Sequence, residues 1–273
     1  MRSFAPKRQF SQNFLTDSNI ARNIVDQLQI ASGDHVLEVG PGKGALTTHL
    51  LATPAERICA VDLDPRAIEF VSGQAWAKSN RFGSMLADAL VVDIADVFPV
   101  ADLMHRKIIG NIPYAITSDL LFWAFSQHHS VSRVVFMMQR EVAKRCIALP
   151  GTKDYGILSV ATWLYSEARI AFHVHPGSFF PRPEVTSSVV SFAMRSELPI
   201  GCDANQFMDF VRSAFSQRRK VMSNALASWG SRKGFNVRST VGGVDLTRVR
   251  AEELTPAQFA LLYQSFLHLS TQE

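Results

Sequence analysis

Between His35 and Met138 short β-branched and apolar runs alternate with stretches whose apolar positions recur every three or four residues. The runs His35–Val39, Arg57–Asp62, Phe82–Ala87, Arg106–Gly110 and Ser132–Met138 read as strands. Helices are expected over Leu46–Leu51, Pro65–Ala75, Ser118–His128 and Glu141–Ala148. Such alternation is the rhythm of a doubly wound, Rossmann-like α/β sheet. Two later runs, Ala168–Val174 and Ser188–Met194, flank a proline-containing loop and predict an antiparallel hairpin at one sheet edge. A seven-stranded mixed sheet results.

After Met194 the pattern changes. Pro199 and Gly201 interrupt it, and from there helical periodicity takes over, with Phe207, Phe210, Val211, Ala214 and Phe215 on one face and Val221, Met222, Ala225 and Leu226 on the next. No strand is expected beyond this point. Thr255-Pro256 has the form of an N-cap followed by proline at the first helical position, opening a last helix to about Leu269. The expected organisation is an α/β domain over residues 1–198 and a small helical domain over residues 199–273.

Composition narrows the class. With 47% hydrophobic and 19% charged residues the 273-residue chain is expected to be globular and folded throughout. No apolar stretch approaches the roughly 18 residues of a membrane span, and the polar, basic start Met1–Gln12 lacks a signal-peptide core, so a cytoplasmic protein is expected. Cys59, Cys146 and Cys202 are too few and too scattered for a disulfide framework or a zinc site, and no metal is expected. The net charge of +4 hides an uneven distribution. Between Asn205 and Thr240, Arg212, Arg218, Arg219, Lys220, Arg232, Lys233 and Arg238 face a single acid, Asp209. Either a solvated helix face or a polyanion partner accounts for that patch.

The chemistry gathers at strand ends. Val36-Leu37-Glu38-Val39 runs into Gly40-Pro41-Gly42-Lys43-Gly44, a turn whose glycines let a ligand approach the backbone. Dinucleotide folds place G-x-G-x-x-G here to seat a pyrophosphate, but the spacing is G-x-G-x-G and Glu38 precedes it. An acid repels a pyrophosphate and attracts an ammonium or a sulfonium, so S-adenosylmethionine is the expected cofactor. Asp62, about 22 residues beyond Gly40, is placed to accept hydrogen bonds from ribose hydroxyls, and Asp88 to hold an adenine amino group. Each acid could equally be a helix cap. After the fourth strand, Asn111-Ile112-Pro113-Tyr114 can present a side-chain oxygen, a backbone carbonyl and a ring face to one planar amine, because Pro113 biases Ile112 towards an extended conformation.

These motifs, in this order, resemble the bacterial small-subunit (16S) rRNA adenine N6,N6-dimethyltransferases, the KsgA/RsmA family. The similarity runs nearly end to end. Ser11-Gln12-Asn13-Phe14-Leu15 resembles the family's N-terminal motif, Glu38–Thr47 its glycine loop and Asn111-Ile112-Pro113-Tyr114 its catalytic tetrapeptide. Met138–Val142, Tyr155–Val160 and Phe179-Phe180-Pro181-Arg182-Pro183-Glu184-Val185-Thr186-Ser187 follow, then the basic turn Ala214–Lys220. The resemblance implies contacts to S-adenosylmethionine from Asn13, Leu15, Glu38, Gly40, Gly42, Asp62, Asp88 and Asn111. It also implies stacking of the target base on Tyr114, with Phe179 covering its other side. The implied substrate is a pair of adjacent adenosines in the 3′-terminal hairpin of 16S rRNA within the small ribosomal subunit, with a role in subunit biogenesis. Arg218, Arg219 and Lys220, extended by Arg140 and Lys144, would then meet RNA phosphates. Three residues depart from the family pattern: Asp62 stands for Glu, Ile112 for Leu, and Arg182 interrupts a proline run.

N6 of adenine needs no general base, since the methylated ammonium loses its proton to water. His173 and His175 are therefore read as strand residues. A monomer is expected. Competing readings are a large-subunit rRNA adenine methyltransferase, a non-catalytic assembly or transcription factor that binds RNA or DNA, and a small-molecule methyltransferase. The basic helical segment counts against the last.

Overall fold

The computed structural model describes residues 13–237 and 240–270. The basic segment Arg2–Gln12 lies outside the described residues. In chain order the elements are β1 (Phe14–Leu15), α1 (Ser18–Asp26), β2 (His35–Val39), α2 (Thr47–Leu51), β3 (Arg57–Asp62), α3 (Pro65–Ser72), β4 (Phe82–Leu86) and α4 (Ile94–Val97). There follow β5 (Arg106–Asn111), α5 (Thr117–Ser126), β6 (Arg133–Gln139), α6 (Arg140–Cys146), α7 (Ile157–Tyr165), β7 (Ser166–Val174), β8 (Phe179–Phe180) and β9 (Ser187–Met194).

The chain packs as two compact units, one running through Ala143 and resuming over Ser166–Ser196, the other made of Lys144–Tyr165 and the chain from Glu197. This differs from a single break near residue 199. The reason lies in Tyr155 and Ser159. Tyr155 is buried, donates its hydroxyl hydrogen to the Leu254 carbonyl at 2.7 Å and sets its ring against Phe215 at 5.9 Å, while the Ser159 hydroxyl donates to the Arg145 carbonyl at 2.6 Å. The segment around α7 thus belongs to the core of the second unit.

In the first unit seven strands form one sheet in the order β4-β3-β2-β5-β6-β9-β7. The first five of these run parallel, and β9 is antiparallel to both β6 and β7. Every residue of β2 is buried, as a central strand covered on both faces requires. Strand order reverses between β2 and β5, so a crevice opens beyond their C-terminal ends, where an open α/β sheet takes its ligands. Gly110 faces Val39 across this pair, and a Cβ there would lie 2.7 Å from the Val39 carbonyl oxygen. Only glycine lets the strands close up. At the opposite end, buried Asp34 accepts from Lys107 Nζ at 2.5 Å and from the Ala31 amide at 2.7 Å. A separate two-stranded pairing, Phe14 with Phe180 and Leu15 with Phe179, lays β1 along β8.

In the second unit α8 (Ala204–Phe215), α9 (Met222–Ala225), α10 (Ala227–Lys233) and α11 (Pro256–Ser270) enclose an aromatic core. The Phe210 ring lies 4.9 Å from Trp229, 5.3 Å from Tyr263 and 5.9 Å from Phe266. The start of α11 is fixed reciprocally: Gln258 N donates to the Thr255 hydroxyl at 3.2 Å and Thr255 N to Gln258 Oε1 at 2.8 Å. Contrary to the expectation of no strand here, β10 (Thr240–Val241) and β11 (Val244–Asp245) form a hairpin. Its two-residue turn, Gly242 and Gly243, takes φ of +55° and +79°, which suits the strand twist. Among the described residues no helix is long and apolar enough to cross a membrane.

Candidate active site

The crevice beyond β2 and β5 is a cleft of ≈ 360 Å³. One wall is the turn after β2. Gly40 donates its amide to the Val61 carbonyl at 2.9 Å with φ of +70°, a conformation that costs a side-chain-bearing residue. A Cβ on Gly42 would sit 3.0 Å from the Phe14 ring, so a larger residue there would press on a side chain that lines the cleft, whereas at Gly40 the Asn111 carbonyl oxygen, at 3.8 Å, leaves ordinary room. Beneath them Glu38 is 1% exposed, and its carboxylate accepts from the Thr47 hydroxyl at 2.6 Å. Burial pushes its pKa up from 4.5 to about 7; the hydrogen bonds from Thr47 oppose the rise and the Asp62 charge adds to it. The cleft thus holds an acid that gains from a cationic ligand.

Asp62 ends β3, and burial raises its pKa against the stabilising hydrogen bond from the Asp64 amide at 2.8 Å. Asp88 accepts from the Leu90 amide at 3.0 Å, so it caps a short turn and lines the cleft at once. On the facing side Asn111 closes β5, and its Nδ2 donates to the Asn13 carbonyl at 3.0 Å. Because a carbonyl only accepts, this contact fixes which end of the amide faces β1. Ile112 is 1% exposed, with its amide on the Met137 carbonyl at 3.2 Å. The Thr117 hydroxyl donates to the Pro113 carbonyl at 3.1 Å, fastening the tetrapeptide to the first residue of α5. The Tyr114 hydroxyl shares a hydrogen bond with Ser187 Oγ at 2.8 Å, and burial pushes the phenol pKa up.

Asn13, Leu15, Glu38, Gly40, Gly42, Asp62 and Asp88 all line this cleft, as do Asn111, Ile112, Pro113 and Tyr114. Phe179 does not. It is 5% exposed and packs in the core with Leu15, because the register of β1 on β8 turns both side chains inward. Sequence reasoning also passed over Leu63, Ala89 and Ile116 in the lining, and Thr47 and Ser187 behind it. Leu63, 60% exposed directly after Asp62, is an apolar residue in a loop, the one signal that could have found it.

The model for the family described as ribosomal RNA adenine dimethylase matches residues 3–267. The chain belongs to the ribosomal RNA adenine dimethylase family. It is 40% identical over 260 residues to "Ribosomal RNA small subunit methyltransferase A" of Chlorobium phaeobacteroides, covering 95% of this chain and 93% of the relative. The protein of the same name from Geobacter metallireducens is 37% identical, with 96% of each chain covered. Among solved structures, a dimethyladenosine transferase from Plasmodium falciparum has a TM-score of 0.78 at 24% identity, covering 94% of this chain and 98% of that one. The 23S rRNA methyltransferase ErmE has a TM-score of 0.68 at 24% identity, covering 93% and 99%. These two likenesses establish the fold. The chain is therefore a methyltransferase of the Rossmann type, a class that generally uses S-adenosylmethionine.

The cations expected to meet RNA are not alike. Arg218 is committed within its own unit: Nε donates to Glu252 Oε2 at 2.8 Å and a terminal nitrogen to the Lys153 carbonyl at 2.7 Å. It closes a loop. Arg219 and Lys220 are exposed, and so are Arg140 and Lys144, one helical turn apart on α6. His173 shares a hydrogen bond with the buried Ser188 hydroxyl at 2.8 Å, a strand-to-strand contact. Among the described residues no group of three or more His, Cys, Asp or Glu could hold a metal ion.

Proposed function

We propose that the protein dimethylates N6 of two adjacent adenosines in the 3′-terminal hairpin of 16S rRNA, within the small ribosomal subunit, with S-adenosylmethionine as donor. One observation carries this reading: Asn111–Tyr114 and the glycine turn over buried Glu38 line one cleft, an amine clamp facing a cradle for a cation. The glycine turn of Gly40 and Gly42, which lines the cleft, and the acid below fit S-adenosylmethionine, which when bound supplies an electrophilic methyl on a sulfonium. Asp62 would accept hydrogen bonds from the ribose hydroxyls and Asp88 from the adenine amino group, and Glu38 in its ionised form would face the cationic end. Leu15 in β1 and Asn13 just before it line the cleft from that side.

The lone pair of adenine N6 is delocalised into its ring. Accepting its hydrogens on Asn111 Oδ1 and the Ile112 carbonyl draws the nitrogen towards a tetrahedral form and stabilises the charge that grows on attack. Tyr114 gives the base a face to stack on, held by Ser187. Phe179, inside the core, has no part in this reading. The product ammonium gives its proton to water. After the first transfer one amino hydrogen remains, so the clamp must work with a single hydrogen bond. Drawing the base out costs a few kcal/mol, least from an unpaired loop. Arg219, Lys220, Arg140 and Lys144 meet phosphates, so affinity falls as salt rises.

The test uses methyl-labelled S-adenosylmethionine and small subunits lacking the modification, followed by digestion and nucleoside identification. Label is expected as N6,N6-dimethyladenosine in the 3′ hairpin. Label in large-subunit RNA instead, or binding with no label anywhere, would overturn the reading.

A further inference from the structure

Strand alternation at β8 turns Phe179 inward and its neighbour outward: Phe180 is 63% exposed. The loop that begins there is pinned beside the cleft at both ends. At its start Phe180 is paired with Phe14, a lining residue, and both the amide and the hydroxyl of Thr16 donate to the Ser178 carbonyl, at 2.9 and 3.0 Å. At its end the Ser187 hydroxyl meets Tyr114, and the Arg140 amide donates to the Thr186 carbonyl at 3.0 Å. Between these anchors Arg182 and Glu184 are exposed, and Val185 is 44% exposed. An aromatic ring and a guanidinium therefore stand in water on backbone fixed at the cleft mouth, where neither adds to the core.

We propose that Phe180 is a stacking platform for an unpaired nucleobase flanking the methylated adenosines, with Arg182 contacting the adjoining phosphate. The inference rests on the proposed RNA reaction. Adenosine reaches the clamp from a loop whose neighbouring bases are unpaired, and such bases offer π-faces that aromatic side chains take up irrespective of sequence, with cations tracking the backbone. A purely apolar partner would use the area of Phe180 but not its ring, and would leave Arg182 without a role.

The experiment measures equilibrium binding of full-length F180A, F180L, F180Y and R182Q proteins to unmodified small-subunit RNA at several salt concentrations. Binding of S-adenosylmethionine and the melting temperature, both expected unchanged, serve as controls. F180A and F180L should each weaken RNA binding on the order of ten-fold. F180Y, which keeps the ring, should bind like wild type, and R182Q should lower the salt slope by about one charge. F180L or F180A protein that binds as tightly as wild type would overturn the platform. Wild-type protein that binds the RNA but methylates none of it would overturn the proposed reaction and leave this comparison intact.

Discussion

Replacing Glu38 by Gln tests the cation cradle at its base. In the ligand-free protein the carboxyl is 1% exposed and titrates at about 7 instead of 4.5. That displacement corresponds to on the order of 3 kcal/mol of differential stability between the protonated and ionised folded forms. The sign follows from linkage. A carboxyl whose folded pKa lies above its unfolded value favours the fold while protonated. Its contribution is fully present below pH 4.5, is lost as pH rises through about 7 and is absent above. Urea unfolding of ligand-free wild type should therefore lose about 3 kcal/mol relative to Glu38→Gln across that interval, and the gap should level off beyond it. Binding should run the other way. If the ionised carboxylate is the form that meets the cation, affinity for S-adenosylmethionine should rise roughly 15-fold between about pH 5.5 and about pH 7 in wild type, following the ionised fraction, and stay flat in the variant. Isothermal titration at several pH values reads this directly. Wild-type and variant proteins whose stability and affinity run parallel across the range would refute the reasoning.

Three further outcomes follow from the geometry. Asn111→Ala should lower the methylation rate by about 100-fold or more in the labelling assay, since it removes a group that acts on the developing charge. Gly110→Ala would set a Cβ 2.7 Å from the Val39 carbonyl oxygen and should lower the urea unfolding free energy by about 1–3 kcal/mol. Arg218→Ala should destabilise the protein by about 1–2 kcal/mol, because it strips hydrogen bonds from Glu252 and the Lys153 carbonyl, whereas Arg219→Ala and Lys220→Ala should leave the melting temperature unchanged and each lower the salt slope of RNA binding by about one charge.

The central sheet was legible because its signals are redundant. β2 and β3 occupy the spans that their apolar runs predict, since β2 is buried throughout and β3 buries Ile58, Ala60 and Val61, so apolar residues dominate both. Acids and Asn111 at successive strand ends could be placed together because a parallel sheet gathers its C-terminal ends on one side. What escaped depends on long-range partners. Neither the burial of Phe179 nor the exposure of Phe180 can be read until β8 has found β1, more than 160 residues earlier in the chain, with Thr16 and Ser178 as the nearest bonded pair at a separation of 162. Arg218 looked like its two basic neighbours, and only Glu252 and the 152–153 carbonyls set it apart. The segment of α7 falls, by the expected boundary at residue 199, in the sheet domain, though Tyr155 and Ser159 bury their polar atoms against the second unit's backbone. Helix α1, capped by Asp17 on the Asn19 and Ile20 amides and burying Ala21, Ile24 and Val25, followed a plain helical spacing that stronger patterns downstream overshadowed.

The bond from Asn111 Nδ2 to the Asn13 carbonyl has a chemical consequence for what residue 111 can be. A carboxylate there would offer the growing ammonium a full negative charge, more attraction than an amide oxygen gives. It would also turn an oxygen, with no hydrogen to share, towards the carbonyl of Asn13, leaving two acceptors face to face. The amide resolves the conflict because its two ends differ: one is spent on the chain itself, which leaves the oxygen as the acceptor for an incoming amine. At this position the fold gives up charge and gains direction.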